Sequence, residues 1–321
     1  MGGSWHKFMK VGIVHFMAFP DCIRGEGPIL ETVEQIASDE FFSAIELGPI
    51  KDPGVRKQVR GILESSKLTP YFAAQPVILL GKLNLAALDE AERKRGVMAV
   101  KAALDDAAEL GINRMAVLDG GGSYPGPGKA AEAEAALVRS LRELCAHARG
   151  LKVGVVLESF DRDIDKHSLI GPSADAARIA REIKAEFSDF GVMIDLSHLP
   201  LLGETSRHAI SCVSDCLVHA HVGNCAFRDR GHRAYGDAHP RFGIDGGEND
   251  VPELADFLEA LFEAGYLSGS EQELPAVSFE VKPLPGETST SVIANAKRTL
   301  LEAWPRAFDR VLQRGLVSGS S

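Results

Sequence analysis

Residues 154–160 read GVVLESF, a short apolar run that closes on a carboxylate. Three later runs repeat the arrangement: GVMIDLSH (191–198), LVHAHVGN (217–224) and AVSFEVKP (276–283). Short, near-continuous apolar runs of this kind are strands buried on both faces. Each closes on a side chain able to hold a metal: Glu158, Asp195, His221 and Glu280. Ionisable groups ending a buried strand are costly unless they pair with one another or with a cation. The spacings of 37, 26 and 59 residues leave room for one strand-loop-helix unit between neighbours, with an extra loop before the last. Three carboxylates and an imidazole make a hard, oxygen-rich set. Such a set suits Mn²⁺, Mg²⁺ or Co²⁺ better than a thiolate-demanding metal, with Zn²⁺ an alternative; Mn²⁺ is the expectation.

Upstream, KVGIVHF (10–16), SAIELG (43–48), TPYFAAQ (69–75) and RMAVLDGGG (114–122) supply four more strands, each followed by a helical pattern. Eight alternating units with no boundary between them predict an α/β fold, a single (β/α)8 barrel. One further helix over 298–316 is expected on its outside. The organisation predicted is a disordered or appended tail at 1–9, the barrel at 10–303, and a C-terminal helix and tail at 304–321. A doubly wound open sheet is disfavoured because HFMAFPDCIRGEG (15–27), not a GxGxxG loop, follows the first strand. GGGSYPGPG (120–128) lacks the Lys-Ser/Thr of a phosphate loop. The charge-rich DEAERKR (89–95) reads as a solvated helix face.

The 321 residues are 45% hydrophobic and 25% charged, the balance of an ordinary globular enzyme with a sizeable core. Thirty-five basic against 45 acidic side chains give a net charge of −10, which disfavours nucleic acid as the main ligand. Five cysteines without a CxxC spacing point to a reduced, cytoplasmic protein. No run approaches the roughly 20 apolar residues that span a bilayer, and no secretion signal is read at the start.

In a barrel of this kind the C-terminal ends of the strands converge on one mouth. Strand alternation puts Val156 with Glu158, Met193 with Asp195, His219 with His221, and Glu280 with Lys282. A divalent ion held there could polarise a sugar carbonyl and its neighbouring hydroxyl, and a glutamate on each side could then remove and return a proton through an enediolate.

LESF, IDLSH, HAHVGN and FEVKP resemble the corresponding segments of the xylose isomerase-like TIM barrels, ketose 3-epimerases and hydroxypyruvate isomerase-like proteins above all. The resemblance implies a metal set of Glu158, Asp195, His221 and Glu280, with Glu158 and Glu280 also serving as acid and base. His198, in the Asp-x-x-His pattern with Asp195, is implied as a contact to a substrate oxygen. GDAHPRFGIDGGEN (236–249) resembles the family's loop after strand seven, which brings His239 to the substrate. Asp237 and His239 also resemble a pair that holds an extra metal in related AP endonucleases. The epimerases carry an arginine six residues after the ligand histidine; Phe227 stands there, and Arg228, one further on, is the substrate-binding candidate. Lys282 departs from a simple epimerase and joins the catalytic set, lowering the carboxylate's pKa, orienting it or binding a substrate oxygen. His15, closing strand one, and Glu46, closing strand two, are expected at the substrate. DRDIDKHSLIGP (161–172) adds an acidic loop bearing Lys166 and His167 beside Glu158.

The activity implied is a metal-dependent sugar isomerase or epimerase acting on a keto- or aldo-sugar. The alternatives are a lyase on 3-keto-glycosides or C-glycosides and a non-catalytic sugar-binding barrel subunit. A homo-oligomer or a partner subunit follows from the resemblance alone.

Overall fold

The computed structural model describes residues 4–269 and 273–317. Eight strands, β1 (Lys10–Ile13), β2 (Ala44–Leu47), β3 (Thr69–Ala73), β4 (Arg114–Val117), β5 (Gly154–Glu158), β6 (Gly191–Asp195), β7 (Leu217–Gly223) and β8 (Ala276–Glu280), form one sheet. All neighbours are parallel, in the order β1-β8-β7-β6-β5-β4-β3-β2. The ring closes where β1 meets β2: Val14 pairs with Glu46, and the Ser43 N–H donates to the Val11 carbonyl at 2.9 Å. The expected (β/α)8 TIM barrel is therefore the fold.

Helices cover the outside because the intervening sequence carries both the apolar stripe and the capping chemistry. Asp52 accepts from the N–H groups of Gly54 and Val55, and Pro53 opens the Pro53–Ser66 helix. Asp89 caps Glu90–Glu109 through Glu92, and Asp250 with Glu253 forms a capping box on Val251–Glu263. Inside the ring, alternate side chains stack in tiers. Ala44, Tyr71 and Ala276 form one apolar patch, and Ala116, Val156 and Met193 another. Above this floor the inward positions become ionisable, two residues further along the same strands: Glu46 on β2, Glu158 on β5 and Asp195 on β6.

Several sequence expectations change. β1 ends at Ile13, and His15 opens a short helix, His15–Ala18, instead of closing the strand. Gln75 likewise starts a helix, Gln75–Leu80, beyond β3. Residues 4–9 are not a disordered tail. Trp5–Lys7 form a 3₁₀ turn, Met9 is buried, and Phe8 packs on Phe262, Trp304 and Phe308 at 5.3–5.8 Å between ring centres. Residues 1–3 and 318–321 lie outside the described residues. The eighth barrel helix and the added C-terminal helix are one, Ser289–Gln313, continuous through Pro305.

DEAERKR is not a wholly solvated face. Arg93 is 2% exposed, and its guanidinium donates to Glu90, Glu143 and the Ser140 hydroxyl at 2.7–3.0 Å. Arg93→Ala should cost about 2 kcal/mol, since the stem leaves a void while both glutamates can return to water. Urea denaturation checks this. Arg93→Lys should recover less than half, because an ammonium cannot reproduce the planar fork.

Candidate functional site

The four ionisable strand ends meet. One ligand atom from each of Glu158, Asp195, His221 and Glu280 lies within 4.8 Å of the others. Barrel register makes this possible: Asp195 stands opposite His221 on β6 and β7, and Glu280 opposite Gly223 on β8 and β7. Gly223 is required at that point. A Cβ there would sit 2.5 Å from the Glu280 carbonyl and 3.2 Å from His239 Nδ1.

Glu46 organises the centre from across the barrel. Its carboxylate accepts from His219 Nε2 at 2.6 Å and from His221 Nε2 at 2.9 Å. With Nε2 committed to Glu46, His221 turns Nδ1 to the mouth, 2.7 Å from Glu280 Oε2 and 3.9 Å from both Glu158 Oε1 and Asp195 Oδ2. Burial alone would lower the His221 pKa, but Glu46 and Glu280 hold it well above its ordinary value. The same imidazoles outweigh burial at Glu46 and keep its carboxylate well below its ordinary value. Gln75 Nε2 donates to Glu158 Oε2 at 2.5 Å, and the Ser197 N–H to Asp195 Oδ1 at 2.7 Å.

The remaining oxygens of those two carboxylates, Glu158 Oε1 and Asp195 Oδ2, are buried with no hydrogen-bond partner. Buried carboxylate oxygens are normally satisfied, and these two face one imidazole nitrogen and a third carboxylate. The residues present fit a divalent cation, because a cation at their centre satisfies both oxygens at once. Burial pushes the Glu158 carboxyl up to about 8. Burial also acts against ionised Glu280, but His239, His221 and His198 hold it down at about 2. Glu280 is the member most open to solvent, with 13% of its side chain exposed, so access runs past it.

His198 and His239 stand beside this group. The His198 Nδ1–H donates to the Ser159 carbonyl at 2.8 Å, which turns Nε2 to Asp237 Oδ1 at 3.2 Å. His239 Nε2 meets the same oxygen at 2.9 Å and Glu280 Oε1 at 3.6 Å. His239 holds φ +51°, a left-handed conformation that side chains seldom adopt and that clusters at functional sites. The Lys282 N–H donates to the His239 carbonyl at 2.7 Å, tying that loop to the end of β8. Among the described residues the half-buried Lys282 amine makes no ion pair.

Residues 34–288 match the family described as xylose isomerase-like TIM barrel. The chain belongs to that family. No curated protein matches the sequence. Among solved structures, a D-tagatose 3-epimerase-like protein superposes with a TM-score of 0.70 at 17% identity, covering 94% of this chain and 100% of its own. The 3-keto-D-glucoside 4-epimerase of E. coli gives 0.63 at 18%, covering 91% and 99%. An AP endonuclease, family 2, of Brucella melitensis gives 0.63 at 17%, covering 91% and 100%. At such identities these likenesses establish the fold alone. No helix among the described residues is long and apolar enough to cross a membrane.

Three expected substrate contacts lie elsewhere or have other partners. Arg228 is an exposed side chain whose guanidinium is bound by Glu248 at 2.7–3.1 Å. Glu46 is enclosed between the two histidines. His15, turned out of the strand by the early helix, donates from Nε2 to Thr32 Oγ1 at 2.7 Å, because the Thr32 hydroxyl itself donates to the Pro28 carbonyl. Gln75 is a contact that its place past a strand end only hinted at. Lys166, in the loop after β5, reaches Asp237 at 3.0 Å. Nothing in its local sequence says which acid it will meet.

Burial lowers the His15 pKa to about 4 from an ordinary 6.5. Between those values the folded protein binds fewer protons than the unfolded chain. The stabilising contribution is therefore complete above pH 6.5 and is lost as pH falls through 4, about 3 kcal/mol in all. Urea midpoints at pH 7 and 4.5 should fall further apart in the wild type than in His15→Gln.

Proposed function

We propose that the protein is a divalent-metal-dependent sugar isomerase or epimerase that removes a proton next to a carbonyl. The observation that carries this reading is the pair of unpartnered, buried carboxylate oxygens of Glu158 and Asp195, facing His221 Nδ1 and Glu280. Glu158, Asp195, His221 and Glu280 would hold the ion, with Mn²⁺ the expected one and Mg²⁺, Co²⁺ and Zn²⁺ the alternatives. When bound, it supplies Lewis-acid polarisation of a carbonyl and its neighbouring hydroxyl.

The rest of the chemistry belongs to the chain. Glu158 and Glu280 sit in environments that drive their proton affinities apart, as an acid and base pair requires. One removes the proton α to the carbonyl to give an enediolate. The other returns it, to the opposite face for epimerisation or to the neighbouring carbon for isomerisation. Gln75 fixes Glu158, and His198 with His239 offers ring nitrogens to substrate oxygens. Lys282, two residues beyond Glu280 in the chain, would be the cation for a developing oxyanion. Two of the similar structures support the reading, a D-tagatose 3-epimerase-like protein and a 3-keto-D-glucoside 4-epimerase, because both names point to inversion at a carbon adjacent to a carbonyl. On a 3-keto-glycoside, removal of the other α-proton would expel the aglycone, so a lyase uses the same machinery on a different carbon.

Calorimetric titration with Mn²⁺ tests the metal assignment. Burial raises Glu158, and Glu46 and Glu280 raise His221, so both hold protons more tightly than usual and a ligand must lose them. Binding should therefore release protons and tighten as pH rises. Glu46→Gln should weaken it by about 10–100-fold with the fold intact. An affinity indifferent to pH speaks against these ligands.

The reaction is tested by solvent deuterium. The Mn²⁺-loaded protein should exchange a carbon-bound hydrogen of a ketose or a 3-keto-glucoside, and Glu158→Gln or Glu280→Gln should each slow exchange by about 10²–10⁴-fold. Product analysis separates epimer, isomer and released aglycone. No exchange across such a panel overturns the reading in favour of a sugar-binding subunit.

A further inference from the structure

Next to the four-residue group lies a second convergence of metal-capable side chains. Ligand atoms of Asp195, His198 and His239 lie within 4.8 Å of one another, and all three residues are buried. Asp237 Oδ1 sits between the two imidazoles, 2.9 Å from His239 Nε2 and 3.2 Å from His198 Nε2. Asp195 Oδ2, His198 Nε2 and Asp237 Oδ1 are buried without a hydrogen-bond partner of good geometry. By composition alone, this group could take a divalent ion of its own.

What sets it apart is a cation already built in. Lys166 Nζ lies 3.0 Å from Asp237 Oδ2 and 2.7 Å from Asp165 Oδ2, and only 19% of its side chain is exposed. The lysine is fixed from below. The N–H groups of Ile164, Asp165 and Lys166 all donate to the Asp161 carboxylate at 2.6–2.8 Å. The two loops are also joined directly, by the Asp237 N–H donating to Asp165 Oδ2 at 3.1 Å. Asp237 thus faces an ammonium on one oxygen and two imidazoles on the other. A divalent ion entering there would meet that ammonium across a single carboxylate, in a buried site where like charges repel strongly.

We propose that Lys166 limits the barrel to one divalent ion by occupying the counter-charge position at Asp237, and that removing its amine opens Asp195, Asp237, His198 and His239 as a second site. This rests on the reading that the four-residue group takes one ion, but the test counts a difference and so separates the two. The full chain is dialysed to equilibrium against Zn²⁺, which suits the two imidazoles, and bound metal is measured by elemental analysis.

Lys166→Met should bind one ion per chain more than the wild type, Lys166→Arg the same number as the wild type, and Lys166→Met with Asp237→Asn should lose the extra ion. Equal counts in the wild type and Lys166→Met overturn the proposal, as does a wild type that takes two ions at these strands. Should Lys166→Met fail to fold, the wild-type count still decides: one ion at saturating Zn²⁺ supports it and two overturn it. A wild type without metal beside a variant with one ion would sink the four-ligand reading and leave this one standing.

Discussion

The candidate site depends on one buried carboxylate, Glu46, held between two histidines of β7. Glu46 and His221 are 175 residues apart in the chain and their strands are not neighbours in the ring, so only closure of the barrel brings them together. The dependence runs both ways. An ionised glutamate at this depth would be prohibitively costly without its imidazole partners, and unpartnered imidazoles would be driven neutral by the same burial. Once made, the contact fixes which nitrogen of His221 is bonded inward and which faces the mouth. Everything above it inherits that choice, including the 2.7 Å approach of Glu280.

The mouth is shaped by loops that hold each other. The segment after β5 reaches the segment after β7 through Lys166 and Asp165. The latter is tied to β8 by the Lys282 N–H and bent into place at His239, whose backbone conformation is kept only because its surroundings over-determine it. Gly236, at φ +88°, and Gly223 provide the two close approaches that a side chain would block. Such a mouth is pre-organised, with its polar groups aimed before anything binds.

The parts legible in the sequence were those set by a local period. Eight buried strands announce themselves as apolar runs, and the two-residue alternation says which side chains share the barrel interior, so Glu158, Asp195, His221 and Glu280 could be grouped from their positions alone. The parts that were not legible depend on partners far away in the chain. Whether Glu46 meets a substrate or two histidines is settled by β7. Arg228 looks like a mouth residue until Glu248 binds it. His15 read as a strand end because nothing in KVGIVHF marks where the strand turns into a helix. Arg93 lies in a run of charge that should be solvated, and only the opposing helix, with Ser140 and Glu143, explains its burial.

The barrel itself says little about chemistry. A D-tagatose 3-epimerase-like protein, a 3-keto-D-glucoside 4-epimerase and a family 2 AP endonuclease superpose on this chain at 17–18% identity, so the scaffold alone does not select an activity. Discrimination has to come from charge and enclosure at the mouth. Four buried carboxylates, Glu46, Glu158, Asp195 and Asp237, and the partly buried Glu280 gather there against four histidines and Lys166, in a chain whose net charge is −10. A polyanion approaching that surface is repelled unless more cations are recruited, whereas a small neutral polyol can enter past Glu280 without changing the balance. With Asp237 already neutralised by Lys166, the carboxylates left short of positive charge are those grouped around His221. That is where the structure calls for a cation, and it is the place the proposed function assigns to the substrate carbonyl.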